Sequence, residues 1–127
     1  MKCTVLGTLI LALAAGGTVA AHHSYGGFEP KLTTFRGVVE ELRWQNPHSL
    51  LLFKTDEGQV LTAEWGGVAA LTRWGLDART LVPGDRVIVT GRVRMDSDGR
   101  LLVLREIERP ADGWRWPARA AIQSSGP

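Results

Sequence analysis

Residues 33-TTFRGVVEELRW-44 read as one long strand whose apolar face changes partway along. Phe35 and Val39 begin one face, Val38, Leu42 and Trp44 take over the other, and Gly37 stands inside the change. Successive side chains of a strand point to opposite faces, so a switch of this kind predicts a bend or bulge near the glycine. Asn46-Pro47 ends the run, because proline has no N–H to give to a ladder.

Working outward, 48-HSLLLFKT-55 is a second strand and 56-DEG-58 a hairpin turn with glycine at the positive-φ position. A third strand, 59-QVLTAEW-65, puts Leu61, Ala63 and Trp65 on one side, and Gly66-Gly67 breaks it. Residues 68-VAALTRW-74 have helical spacing, with Val68, Leu71 and Trp74 on one face and Gly75 as the stop. After the tight turn 82-VPGD-85, 86-RVIVTGRVR-94 alternates with Val87, Val89, Gly91 and Val93 inward. The loop 95-MDSDG-99 leads to a fifth strand, 100-RLLVLREIE-108. A bent first strand and a short helix between strands 3 and 4 are what an OB-type barrel requires. The prediction is an all-β, five-stranded OB-like Greek-key barrel over 33–109, with a plain antiparallel sheet as the alternative.

The flanks are of different character. Met1-Lys2, the apolar run Val5 to Ala15 and small residues up to Ala21 have the order of a secretory signal peptide. The run is shorter than the roughly 20 apolar residues of a membrane span. The expectation is therefore a signal peptide over 1–21, cleaved after Ala20 or Ala21, and a periplasmic protein with no membrane attachment thereafter. Residues 22–32 form an N-terminal segment. Residues 110–127 form a tail punctuated by Pro, Gly, Ala and Ser, whose last residues are expected to be disordered. Trp114 and Trp116 in that tail are expected to fold back on the barrel or to form a contact patch.

Composition narrows the function further. Cleavage removes Cys3, the single cysteine, so neither a disulfide nor thiol chemistry is expected. It also removes Lys2 from a formal charge of +2, and the remaining arginines are interleaved with acids, as in 104-LREIER-109. No basic block exists to bind nucleic acid. A monomer is expected, with no nucleic-acid partner.

The segments 21-AHHS-24, 37-GVVEELRWQNPH-48, 64-EWGG-67 and 83-PGDRVIVTGRV-93 resemble a family of small exported bacterial proteins classed as a domain of unknown function. Those proteins begin with Ala-His-His-Ser and carry Trp-x-Asn-Pro-His after the first strand. The resemblance implies a periplasmic OB-like barrel and supplies no activity. The Trp-containing tail departs from that family's shorter endings.

The three histidines are the candidate chemistry. Cleavage after Ala20 makes His23 the third residue. Its ring, the terminal amine and two backbone nitrogens then suit the square-planar nitrogen set of Cu(II) or Ni(II). Cleavage after Ala21 makes His22 the terminus, whose amine and ring chelate one ion with His48 or His23 adding a nitrogen. In those few atoms this resembles the N-terminal histidine clamp of copper-dependent polysaccharide monooxygenases. Zinc held by three imidazoles is a variant, and Met95 offers a soft sulfur to Cu(I). The metal set is thus His22, His23 and His48 with Met95 beside it, copper first and zinc or nickel as alternatives. The competing readings are a solvated terminus and a turn histidine packed near Trp44.

A second functional class is a non-catalytic module that binds a periplasmic protein or ligand, with Trp44, Asn46 and Glu64 as binding-face candidates. Trp65 and Trp74 are expected in the core and Trp44 at the surface. Glu64 is expected at the helix start, with support of a metal-bound histidine as its other role. No catalytic residues are assigned: Glu40 and Glu41 point to opposite faces, Asp96 to Gly99 is too short for a calcium loop, and Ser24 lacks a framework for a triad.

Overall fold

A computed structural model describes residues 27–118 of the chain. Residues 1–26, which include the expected signal peptide, His22 and His23, and residues 119–127 lie outside the described residues. The elements run β1 (Thr33–Arg43), β2 (Leu50–Thr55), β3 (Val60–Glu64), α1 (Val68–Arg73), β4 (Arg86–Val93), β5 (Leu101–Arg109) and β6 (Trp114–Trp116).

β1 serves both halves of a closed barrel. Its Thr33–Val38 half lies antiparallel to β4, and its Gly37–Arg43 half lies antiparallel to β2. The sheet continues β2 to β3 and β4 to β5, and a short parallel pairing of Thr62–Glu64 with Leu101–Val103 closes it. This is the expected five-stranded barrel, with its helix between β3 and β4. Gly37 sits where both partners of β1 overlap, and a Cβ there would collide with the Lys54 carbonyl. The register shift itself falls at Val39/Glu41, just past the glycine. The bend is therefore made by two devices, a close approach at Gly37 and an extra residue at Glu40.

Inward positions follow the pleat. Val39, Leu51, Phe53, Leu61, Ala63, Val87, Val89, Leu102 and Ile107 are buried together, and Leu71, Leu76 and Leu81 from the helix and the segment after it join the same core. The helix ends in a Schellman arrangement: Leu76 N–H donates to Leu71 O and Gly75 N–H to Thr72 O, with Gly75 at φ 78°. Trp74 is the C-cap residue, the last before the turn at Gly75. It is 60% exposed, which corrects its expected place in the core.

The tail does fold back, as a sixth strand. β6 pairs antiparallel with Ile107–Arg109, and Trp116 meets Trp65 edge-on at 5.1 Å and Trp74 at 6.2 Å between ring centroids. Arg109 fastens this region, donating to Asp85, to Asp112 and to the Thr80 carbonyl, with its guanidinium over the Trp114 ring. Among the described residues, no helix is long and apolar enough to cross a membrane.

Candidate functional site

The loop between β1 and β2 is built into the barrel at both ends. Buried Ser49 exchanges backbone hydrogen bonds with the 65–66 segment, its N–H donating to Gly66 O and its carbonyl accepting from Trp65 N–H. Its hydroxyl also bridges the Gln45 backbone. Asn46 Oδ1 accepts a 2.9 Å hydrogen bond from Val68 N–H, the first residue of α1. The helix has no cap of its own, because Gly67 offers no side chain. Asn46 supplies that cap from 22 residues upstream of Val68, satisfying one of the four orphan N–H groups at a helix start.

With Asn46 and Ser49 turned to the framework, His48 is left projecting. Its side chain is 54% exposed, and its Nδ1 lies 2.9 Å from Oε1 of Glu64, itself 28% exposed. Glu64 stands opposite Leu50 on β2 and Val103 on β5. A carboxylate accepts only, so Nδ1 is the donor in this contact, and in a neutral ring Nε2 is the nitrogen that keeps a lone pair. This corrects the expected helix-start role of Glu64, which Asn46 fills instead. The other role considered for Glu64, orienting a histidine, is the one its position suits.

Of the remaining candidates, Trp44 is half-buried against the core cluster, so the surface tryptophan is Trp74. Met95 is 62% exposed in the loop between β4 and β5. Beside it Arg94 holds Asp96 through two hydrogen bonds, of 2.6 and 3.2 Å. That bond keeps the Asp96 carboxyl below the usual range and raises the Arg94 guanidinium, to which the charge of Glu64 adds a smaller push. Arg94 and Glu64 therefore share one electrostatic neighbourhood between the two loops.

One contact has no signature in the sequence. Residues 27-GFEP-30 lack strand character and contain a proline, yet the chain here lengthens the barrel wall. Met95 N–H donates to Gly27 O, Glu29 N–H donates to Val93 O, and Phe28 bridges Arg94. The N-terminal segment thus joins the barrel at the loop between β4 and β5. That loop and the loop carrying His48 are the two that flank the ligand face of OB barrels.

Among the described residues, no group of three or more His, Cys, Asp or Glu side chains is placed to hold a metal ion. His48 and Glu64 come together, and the chain's other two histidines, His22 and His23, lie outside the described residues. No curated protein and no solved structure matches the chain. A family model does match, over residues 10–101, and the chain belongs to that family, DUF6152, a family of unknown function.

Proposed function

We propose that this is an exported, periplasmic barrel protein that binds a transition-metal ion, copper foremost, through His48 and the N-terminal histidines His22 and His23. The observation that carries the reading is the His48–Glu64 pair. A metal-ligating histidine almost always gives its second ring N–H to a carboxylate or carbonyl, which fixes the tautomer and makes the free nitrogen a better ligand. The His48–Glu64 contact supports that reading, on a side chain that is 54% exposed. Imidazole and amine nitrogens suit Cu(II), with zinc and nickel as the alternatives. Met95 stands at the other loop as a soft ligand for Cu(I).

The test is a copper titration of the protein recovered after export, its N-terminus fixed by intact mass. The expected result is tight binding that a His22/His23/His48 triple alanine variant loses. Equal affinity in the two proteins refutes the metal reading. The second reading, a non-catalytic interaction module, would then stand on Trp74, whose exposed ring rests edge-on against Trp116.

A further inference from the structure

Alternation along the strands puts the charged residues of the two loops on one face. Val93 and Leu102 are buried, so Arg94 and Leu101 point out of the barrel, and Ala63 is buried, so Thr62 and Glu64 do the same. Arg94 N–H donates to Leu101 O, Leu101 stands beside Thr62, and Glu64 follows two residues on. Arg94 and Glu64 are thus two strands and two residues apart, about 10 Å across the wall and about 7 Å along it. The long arginine stem and the glutamate side chain can together cover that diagonal. Asp96 is the main cause of the raised Arg94 guanidinium, and the charge of Glu64 adds to it across this gap.

Each of the two is held by another group. Arg94 gives Nε–H and an Nη2–H to the two oxygens of Asp96, and Glu64 Oε1 accepts from His48 Nδ1 at 2.9 Å. Asp96 is placed by the backbone of its loop, where the Ser97 hydroxyl donates to Arg94 O and accepts from Leu101 N–H. The Glu64 carboxylate therefore has two claimants, His48 in place and Arg94 within reach. An arginine engages a carboxylate best as a fork that takes both oxygens, which would leave His48 without its acceptor. We propose that Asp96 and Arg94 are positioning residues for His48: Asp96 keeps the Arg94 guanidinium off Glu64 and so leaves that carboxylate to the imidazole. Freed from Asp96, Arg94 turns to Glu64 and the Nδ1 proton of His48 loses its partner. The loop between β4 and β5 thereby sets the tautomer of a histidine on the loop between β1 and β2.

The strength of the contacts suits a transfer. The Arg94 and Asp96 side chains are 44% and 66% exposed, and an exposed pair is held weakly enough to exchange partners. Glu64 is the more enclosed carboxylate, at 28% exposed, so a guanidinium that lost Asp96 would find there the less screened of the two charges. As an account of metal binding the relay rests on the metal reading, because the tautomer decides which His48 nitrogen is offered to an ion. As an account of His48 it needs no metal, so the two can fail separately.

The experiment reads the two ring nitrogens of His48 by NMR, in exported protein labelled with ¹⁵N-histidine and kept in chelator. The pH is set near 8.5, where an ordinary imidazole is neutral, and the His48 signals are those lost in His48→Ala. The parent should hold its proton mainly on Nδ1. Asp96→Asn, which keeps the shape of the side chain, should lower the ratio of the Nδ1–H to the Nε2–H form about two- to fivefold, the scale of one exposed ion pair. Adding Arg94→Ala to Asp96→Asn should restore the parent ratio, and Arg94→Ala alone should leave it unchanged. An unaltered ratio in Asp96→Asn overturns the proposal. A fall that persists in the double variant overturns it too, since the effect would then come from the loop and not from Arg94. The full pattern together with negligible copper affinity would keep the relay and remove the metal, and tight copper binding with an unresponsive tautomer would do the reverse.

Discussion

Replacing Gly67 with alanine tests whether the Asn-Pro-His loop and the glycine pair are one structure. A Cβ at Gly67 would lie 2.6 Å from Pro47 O and 3.0 Å from Asn46 Oδ1, and the nearer atom is backbone. The residue has φ −70° and ψ 163°, a conformation open to any residue, so the cost is steric and not torsional. Alanine on its own favours folding by about 0.4–1 kcal/mol, because it restricts the unfolded chain. Against this, a forced shift of backbone in a well-packed region costs about 1–3 kcal/mol. Displacing Asn46 from Val68 removes a helix cap, a further loss of about 1 kcal/mol. The net expectation is destabilisation of about 2 kcal/mol, which for a domain near 100 residues lowers Tm by about 8–16 °C. Asn46→Ala alone should cost about 1 kcal/mol. Because both substitutions break the same contact, the double variant should lose less than the sum, by about 0.5–1 kcal/mol. Urea unfolding followed by tryptophan fluorescence measures all three. A Gly67→Ala protein as stable as the parent, or strict additivity with Asn46→Ala, refutes the reasoning.

Three further outcomes are expected. Glu64→Ala should weaken copper binding about 10–100-fold by releasing the His48 tautomer, and Glu64→Gln, which keeps an acceptor for Nδ1–H, should lose less; unchanged affinity in Glu64→Ala by calorimetry would remove His48 from the ligand set. At the opposite end, Arg109→Ala leaves Asp85 and the Thr80 carbonyl without their shared donor and should destabilise by about 2–3 kcal/mol in the same urea assay. The Arg109 hydrogen bond, with a backbone donor from Trp114, holds the Asp112 carboxyl below its ordinary value. A depressed carboxylate stabilises the fold above the unfolded pKa, near 3.9, and loses that contribution as pH falls through the lower folded value. Asp112→Asn should therefore flatten the acid limb of stability below about pH 4 and leave its slope at neutral pH unchanged.

Most of the barrel was legible because its signals are local. Alternation along 86-RVIVTGRVR-94 assigns inside and outside one residue at a time, and the β4 pattern in the structure follows it. The face change around Gly37 announced a bend, although the extra residue sits three positions later, since a bulge is chosen by both strands of a pair. Trp74 was misplaced because helical spacing assumes an uninterrupted helix, whereas the Gly75 Schellman turn makes Trp74 the C-cap, where its side chain is exposed. The helix start was given to Glu64 for a different reason. Both readings of Glu64 are locally reasonable, and only the return of the 44–49 loop onto Gly66 and Gly67 decides between them. The strand addition at Gly27–Glu29 had no local signal, as backbone pairing is indifferent to side chains.

The candidate site is unequal in its two halves, and that inequality decides what controls it. His48 is held within a loop whose neighbours Asn46 and Ser49 are both hydrogen-bonded to the barrel, so its imidazole is positioned before any ligand arrives. Ordering a side chain that is already ordered costs little on binding, whereas immobilising rotamer-rich groups costs about 0.5–1.5 kcal/mol each. On the proposed reading, the N-terminal histidines carry that cost at the binding step, so His48 is the half of the site whose contribution is least offset by ordering.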